Sequence, residues 1–277
     1  MKRIDATFRK LKKRGEKALI PFITAGDPDL ATTRALALEM AKRGADVLEL
    51  GIPFSDPLAD GPTIQAASNR ALKAGVHLQE VLELAGQVRR ETEIPLVLMG
   101  YYNPILQYGL ERTAREAKDL GVDGFIIPDL PLEEAGPWRK VAVAAGLAPI
   151  YLAAPTSGAS RIKKAGRLTK GFLYYVSVTG ITGAATPDAN KVAAAVKHIK
   201  RRTALPVAVG FGVKTAEHAR AIAKSADGVV VGSALMEALR VSLDKDGKAK
   251  AGTVKAVTDL VSQLAEGVRA ARRVAAE

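Results

Sequence analysis

The chain has 277 residues, a formal net charge of +12 and no cysteine. That length suits one large α/β barrel or two smaller domains. The missing cysteines exclude disulfides, thiolate metal sites and a cysteine nucleophile, and no run of about 20 apolar residues marks a membrane span.

The N-terminus, MKRIDATFRKLKKRGEK, is basic but lacks the apolar core and small-residue cleavage site of a signal peptide, so the cytoplasm is the expected compartment. Ile4, Phe8 and Leu11 stand at helical spacing and predict a short amphipathic helix that caps the fold. Eight short apolar runs follow as predicted strands: Ala18–Thr24, Val47–Leu50, Pro95–Met99, Gly124–Ile127, Ala148–Leu152, Phe172–Val176, Pro206–Val209 and Gly228–Val231. Several are continuous in polarity, as parallel strands buried on both faces should be. Amphipathic stretches separate them: Asp29–Arg43, Leu78–Arg90, Leu110–Leu120, Glu133–Ala145, Asp188–Arg201 and Thr215–Ala223. Asp27-Pro28-Asp29 and Thr186-Pro187-Asp188 carry helix-start signals. The insert after the second strand is the longest and predicts an extra helix, Thr63–Ala74. Leu243–Lys250 reads as a solvated loop leading into a terminal helix, Ala251–Arg273. Repeated strand–helix units predict the α/β class and a single (β/α)8 TIM barrel over residues 1–277. A doubly wound sheet fits the same pattern.

A strongly basic chain is a candidate for nucleic-acid binding. Here the basic residues are spread along helical stretches, such as Lys12, Lys13, Arg89, Arg90, Lys163, Lys164, Lys200, Arg201, Arg272 and Arg273, with no RNA-binding aromatic motif among them. They read as a solvated basic surface that also attracts an anionic substrate.

In a barrel the chemistry lies at the C-terminal ends of the strands. Glu49 sits inside the apolar run Val47–Leu50. An anion is costly to bury there, so this carboxylate is paired, protonated or used. It is followed by a loop with prolines and two more acids, Asp56 and Asp60. Other strand ends collect Gly26-Asp27, Tyr101-Tyr102-Asn103, Asp129, Pro155-Thr156-Ser157, Ser177 to Gly183, Gly210 to Gly212 and Gly232-Ser233. Polar residues and glycines gathered above apolar strand bodies are the composition of an active-site mouth.

The last three ends supply Gly180 and Gly183, Gly210 and Gly212, and Gly232-Ser233. Glycine lets backbone N–H groups approach an anion, and a helix starting at Gly232-Ser233 adds its positive dipole end, so a phosphate site is predicted. Glycines that only make tight turns would look the same. His77, His198 and His218 fall in helical or loop patterns away from the mouth, and no lysine lies in a strand core. No metal cluster, Schiff base or cofactor is therefore expected. The remaining acid–base groups are Glu49, Asp60, Asp27, Asp56, Asp129 and the tyrosines. Asp27 and Asp129, each beside a proline, read as turn or N-cap residues.

The stretch LELGIPFSDPLADGPTIQ, with PFITAGDPD, MGYYNP, IIPDLP, YYVSVTGITG, GFGV and VVGSA, closely resembles the tryptophan synthase α subunit family from about Phe8 to the last helix. The resemblance implies a (β/α)8 barrel that cleaves indole-3-glycerol phosphate to indole and glyceraldehyde 3-phosphate. It makes Glu49 the main general acid/base, Asp60 the second carboxylate near the indole N–H, and Tyr174 the active-site tyrosine. Thr182 and Gly183 match the mobile lid after the sixth strand. Gly183, Gly212, Gly232 and Ser233 match the phosphate-binding positions, and Phe22, Tyr101 and Ile127 map to the apolar indole pocket. It also implies a partner, the pyridoxal-phosphate-dependent β subunit of an α2β2 complex, which receives indole through a tunnel. The loops Pro53–Asp60 and Val178–Asn190 would face that partner, the second ordering only with ligand or partner.

Three features depart from the family pattern: the high positive charge, the plain segment from Ala184 to Asn190, and the lysine-rich Leu243–Lys250. None touches the catalytic motif. Another sugar-phosphate barrel enzyme, such as an isomerase or epimerase, would keep the glycine site without needing an aromatic pocket. A non-catalytic activator of the β subunit would need neither carboxylate.

Overall fold

Side chains alternate between two cores along each strand, and that period-2 pattern closes a parallel barrel. The structure, a computed structural model, describes residues 2–177, 188–210 and 212–271. Helix α1 (Lys2–Lys13) precedes β1 (Ala18–Thr24), α2 (Leu30–Lys42) and β2 (Leu48–Gly51). The extra helix α3 (Pro62–Lys73) and α4 (Leu78–Arg89) lead to β3 (Leu96–Met99). Then come α5 (Tyr102–Tyr108), α6 (Leu110–Asp119), β4 (Gly124–Ile126), α7 (Gly136–Ala144), β5 (Ala148–Ile150), β6 (Leu152–Ala153) and α8 (Ala159–Leu168). The chain continues through β7 (Leu173–Val176), α9 (Ala189–Lys200), β8 (Val207–Gly210), α10 (Ala216–Ala223), β9 (Gly228–Val231), α11 (Ser233–Ser242) and α12 (Thr253–Arg269).

The sheet order is β5-β4-β3-β2-β1-β9-β8-β7-β6, with every pairing parallel. The two ends of that order are consecutive pieces of one strand. The sequence predicts a single run here, Ala148–Leu152; the strand instead breaks at Tyr151. β5 pairs with β4 and β6 pairs with β7, while the Tyr151 carbonyl accepts the Tyr174 N–H at 3.2 Å and its own N–H donates to Thr169 Oγ1 at 3.2 Å. The break therefore closes the barrel, and the TIM-barrel expectation stands in place of the doubly wound sheet.

Ala18, Ile20, Val47, Val97, Ile126, Ile150, Ala208 and Val230 fill the barrel interior. Leu19, Ile23, Leu48, Leu50 and Leu98 point outward and pack under the helices. Helix α1 covers the floor of the interior: Ile4, Phe8 and Leu11 join the inner cluster, with the Phe8 and Phe172 rings 5.5 Å apart. Burying such side chains contributes about 1.5–3 kcal/mol each, enough to hold a short polar helix in place. Asp29 caps α2 through the Thr32 N–H at 2.7 Å, and Asp188 caps α9, as the two Asp-bearing start signals predict.

The floor is stitched by one device used three times. Asp46, Asp123 and Asp227 each precede a strand, β2, β4 and β9. Each carboxylate accepts an N–H from the first or second residue of a neighbouring strand: Leu19 at 2.8 Å, Leu96 at 3.0 Å and Val207 at 2.9 Å. The backbone N–H of each Asp returns a bond to the same residue's carbonyl. A cation from a helix completes each set: Arg269 for Asp46, Arg89 and Arg3 for Asp123, Lys200 for Asp227.

Two helices have no counterpart in the sequence reading. In α8 only Ile162 and Ala165 are buried, too few to show a period, and α5 is a short segment bounded by Gly109. Among the described residues no helix is long and apolar enough to cross a membrane.

Candidate active site

Glu49 is placed by the strand register. It lies beside Phe22 of β1 and Val97 of β3, in the inward-facing row of β2 above Val47. Only 1 % of it is exposed, and among the described residues neither carboxyl oxygen has a hydrogen-bond partner. Of the three options for a buried strand carboxylate, pairing with a lysine or arginine is thus removed. Burial first, and then the nearby Asp60 charge, push its pKa up to about 8. At neutral pH the group is a neutral acid.

Asp60 sits in the loop between β2 and α3, just before Gly61 and Pro62 open the helix. Tyr101, at the end of β3, donates its hydroxyl to Asp60 Oδ2 at 3.0 Å and accepts the Ala59 N–H at 2.9 Å. The Tyr101 ring stacks on Phe54 of the same loop, with centroids 5.2 Å apart. One tyrosine therefore ties the loop to the sheet and aims the carboxylate. Burial raises the Asp60 pKa to about 6 and the Tyr101 hydroxyl bond opposes that rise, so Asp60 is an anion at pH 7. Two carboxyl groups with pKa values pushed apart can act as acid and anion side by side.

Tyr174 of β7 faces the same interior. Its hydroxyl is held well above the usual range by burial, with the Glu49 and Asp60 carboxyls adding to the effect. It is a neutral hydrogen-bonding group. Gly210 on β8 makes room for it, because a Cβ there would run into the Tyr174 ring and hydroxyl.

A cavity at the strand ends is lined by Phe22, Asp60, Ile64, Met99, Tyr174, Gly212, Val213, Lys214, Val230, Gly232 and Ser233. The structure thus brings together Phe22, Asp60, Tyr174, Gly212, Gly232 and Ser233 around one space; Glu49 lines neither this cavity nor the pocket beside it and is buried next to Phe22 in the strand register. Gly212 has φ +78°, a conformation that favours glycine. Gly232 is the N-cap and Ser233 the first residue of α11, so the free N–H groups of that helix meet the cavity. The cavity combines an anion cradle at Gly212, Gly232 and Ser233 with the Asp60 carboxylate, and Glu49 lies buried beside its Phe22 wall.

Tyr101 lines an adjoining small pocket and not this cavity, which makes it a support for Asp60 more than a wall for an aromatic ring. Ile127 is not brought to the site: it lines neither space and packs in the helix-facing core. The period of two explains this, since Ile126 takes the inward position on β4 and turns its neighbour outward. Thr182 and Gly183 lie outside the described residues. Met99, Ile64, Val213 and Lys214 line the cavity without having been singled out. Met99 could have been found by counting two residues on from the inward Val97.

Asp27 and Asp129 do not cap their own helices. Asp27 is fully buried and makes a two-pronged ion pair with Arg70 of α3, at 2.7 and 2.8 Å. Asp129 accepts the Tyr102 N–H at 2.9 Å and so caps α5 from a different loop. Among the described residues no three His, Asp or Glu side chains are grouped as a metal ion would need.

A (β/α)8 barrel with an unpartnered buried acid, a second carboxylate and an anion cradle at its strand ends defines a barrel enzyme working by acid–base chemistry on an anionic substrate. Comparison with known proteins narrows that class. The family model of the tryptophan synthase alpha chain matches residues 8–268. The tryptophan synthase alpha chain of Geotalea daltonii is 51% identical over 270 residues, covering 98% of this chain and 100% of that one. The crystal structure of the alpha subunit from Legionella pneumophila str. Paris superposes with a TM-score of 0.88 at 42% identity, over 96% of this chain and 98% of that one. A structure of Mycobacterium tuberculosis tryptophan synthase gives 0.87 at 33% identity, over 96% and 98%. The chain belongs to the tryptophan synthase alpha chain family, and with it to the lyases of tryptophan biosynthesis.

Proposed function

We propose that the chain cleaves indole-3-glycerol phosphate to indole and glyceraldehyde 3-phosphate. The observation that carries this reading is the Glu49 carboxyl, buried among apolar side chains with no partner and held neutral at pH 7. A retro-aldol cleavage needs an electron sink, and the indole ring of the substrate can supply one. Glu49 donates its proton to C3 of the indole ring, which leaves the ring nitrogen iminium-like. Anionic Asp60 stabilises that developing positive charge. Loss of the glycerol hydroxyl proton to carboxylate then forms the aldehyde carbonyl, and the electrons of the broken C–C bond return to the ring to give indole. A carboxyl group with a pKa near the working pH serves in both directions. The substrate phosphate would rest on Gly212, Gly232, Ser233 and the N-terminus of α11, with Gly183 contributing. Thr182 and Gly183 would belong to a lid over the site.

The product would pass to a PLP-dependent β subunit in an α2β2 complex. Leu58, at the tip of the loop that carries Asp60, is 94 % exposed, an apolar contact suited to a protein partner. No cofactor of its own is required, and the expected compartment is the cytoplasm. The test is indole release by the purified chain and its Glu49→Gln variant, with and without β subunit. The variant should still bind glycerol phosphate and release no indole; wild-type turnover in that variant would overturn the reading.

A further inference from the structure

We propose that Thr24 holds one buried water against the back of Asp60, and that this water is a fixed part of the site. The inference rests on the lyase reading and deepens it. Thr24 ends β1 and falls on the inward row, two residues beyond Phe22. It is 1 % exposed, and its Oγ1 has no hydrogen-bond partner among the described residues. A buried hydroxyl is rarely left unpaired, because losing water without a replacement bond is unfavourable.

The hydroxyl belongs to the wall of a small pocket of about 10 Å³, lined also by Asp60, Ser68, Tyr101, Ile64, Ile52 and the glycines Gly51 and Gly100. A space of that volume takes about one water molecule, provided two to four polar groups reach it. Thr24, Ser68 and Asp60 supply side-chain oxygens around it. The two glycines bring bare backbone close: a Cβ at Gly51 would meet Phe22 at 2.5 Å, and one at Gly100 would meet Ile52 at 2.8 Å, so neither position admits a side chain without displacement.

Asp60 lines both this pocket and the larger cavity. With Phe22, Ile64 and Met99 it forms the wall that the two spaces share. Tyr101 already donates to Oδ2. A water held by Thr24 would give the carboxylate a second donor from behind, favouring the anion that the reaction needs beside the indole nitrogen. The other titratable or charged groups facing Asp60 are Glu49 from β2, Tyr174 from β7, and Lys214 in the loop after β8. Among the described residues only Tyr101 donates to the Asp60 carboxylate, and no hydrogen bond joins it to Glu49, Tyr174 or Lys214.

Thr24 is therefore a positioning residue. Its test uses the full chain in complex with the β subunit, comparing wild type with Thr24→Val, which keeps the shape and removes the hydroxyl, and Thr24→Ser, which keeps the hydroxyl. In Thr24→Val the acid limb of the kcat profile for indole release should move up by about one pH unit, as loss of one hydrogen bond to a carboxylate requires, while Thr24→Ser keeps the wild-type limb. A high-resolution crystal structure should show a water between Thr24 Oγ1 and Asp60 in wild type and Thr24→Ser, and none in Thr24→Val. An unmoved acid limb in a folded, active Thr24→Val variant, or a Thr24 hydroxyl bonded directly to protein, overturns the water. A wild-type complex that releases no indole overturns the lyase reading instead.

Discussion

The two ends of the barrel treat buried carboxyl groups in opposite ways. At the floor, Asp123 is 2 % exposed and fully engaged: it accepts the Leu96 N–H and pairs with Arg89 and Arg3. Asp46 repeats the arrangement with Leu19 and Arg269. At the mouth, Glu49 is as deeply buried and has no hydrogen-bond partner among the described residues. Burial raises the pKa of Asp46 too, but there Arg269 and the Leu19 N–H oppose the rise. For Glu49 no opposing contact exists, and the rise runs to about 8. The difference teaches that burial alone does not mark a catalytic acid; burial without compensation does. One end of the molecule spends its carboxylates on holding strands together, and the other keeps one uncompensated for chemistry.

That contrast can be broken by neutralising one acid at each end. Glu49→Gln should lower kcat for indole release the most, by about 10²–10⁴-fold, the range for losing a general acid–base group. Intact phosphate-analogue binding, measured by calorimetry, would show that the site still forms. Asp60→Asn comes next, with a loss on the order of 10²–10³-fold as for other electrostatic stabilisers of a transition state, read from the same assay. At the floor, Asp123→Asn should leave kcat per folded molecule unchanged and lower unfolding stability by about 3–5 kcal/mol, because the largely buried Arg89 loses its carboxylate counter-charge. Urea unfolding followed by circular dichroism measures this. Loss of activity without loss of stability in Asp123→Asn would erase the division of labour.

A smaller effect sharpens the same comparison. The folded-state pKa of Glu49 lies above its unfolded value of 4.5, so the folded chain binds the extra proton and loses stability as pH rises from about 4.5 to about 8. Below that window Glu49→Gln should change the melting temperature little. Above it the variant should be more stable than wild type, since it never has to bury an anion. Equal shifts at pH 5 and pH 8.5 would show that Glu49 is compensated after all.

Much of this contrast was legible in the sequence, and the reasons differ by level. Continuous apolar runs marked the strands because parallel barrel strands are buried on both faces, and β1 and β9 fall within the predicted limits. Glu49 stood out as a charge inside such a run. What sequence could not show was the absence of a partner, since any of the many basic residues could have folded back onto it. The floor aspartates were invisible for the mirror-image reason: Asp46, Asp123 and Asp227 lie just outside apolar runs and look like ordinary loop acids, while their partners come from helices up to 223 residues away. Ile127 was placed in the pocket by resemblance, yet the strand period turns it outward. Tyr101 was expected as an aromatic wall, but its hydroxyl, which composition does not weigh, fixes its place against Asp60. The break at Tyr151 left no mark because Ala148–Ile150 and Leu152–Ala153 are apolar on both sides of it.

The most direct test of an uncompensated acid is to read its protonation state. Infrared difference spectra between wild type and Glu49→Gln isolate the carboxyl stretch of that one residue. At pH 7 the spectrum should carry a neutral carboxyl band, replaced by carboxylate bands with a midpoint near pH 8. A carboxylate already ionised at pH 6 in the free chain would contradict the account.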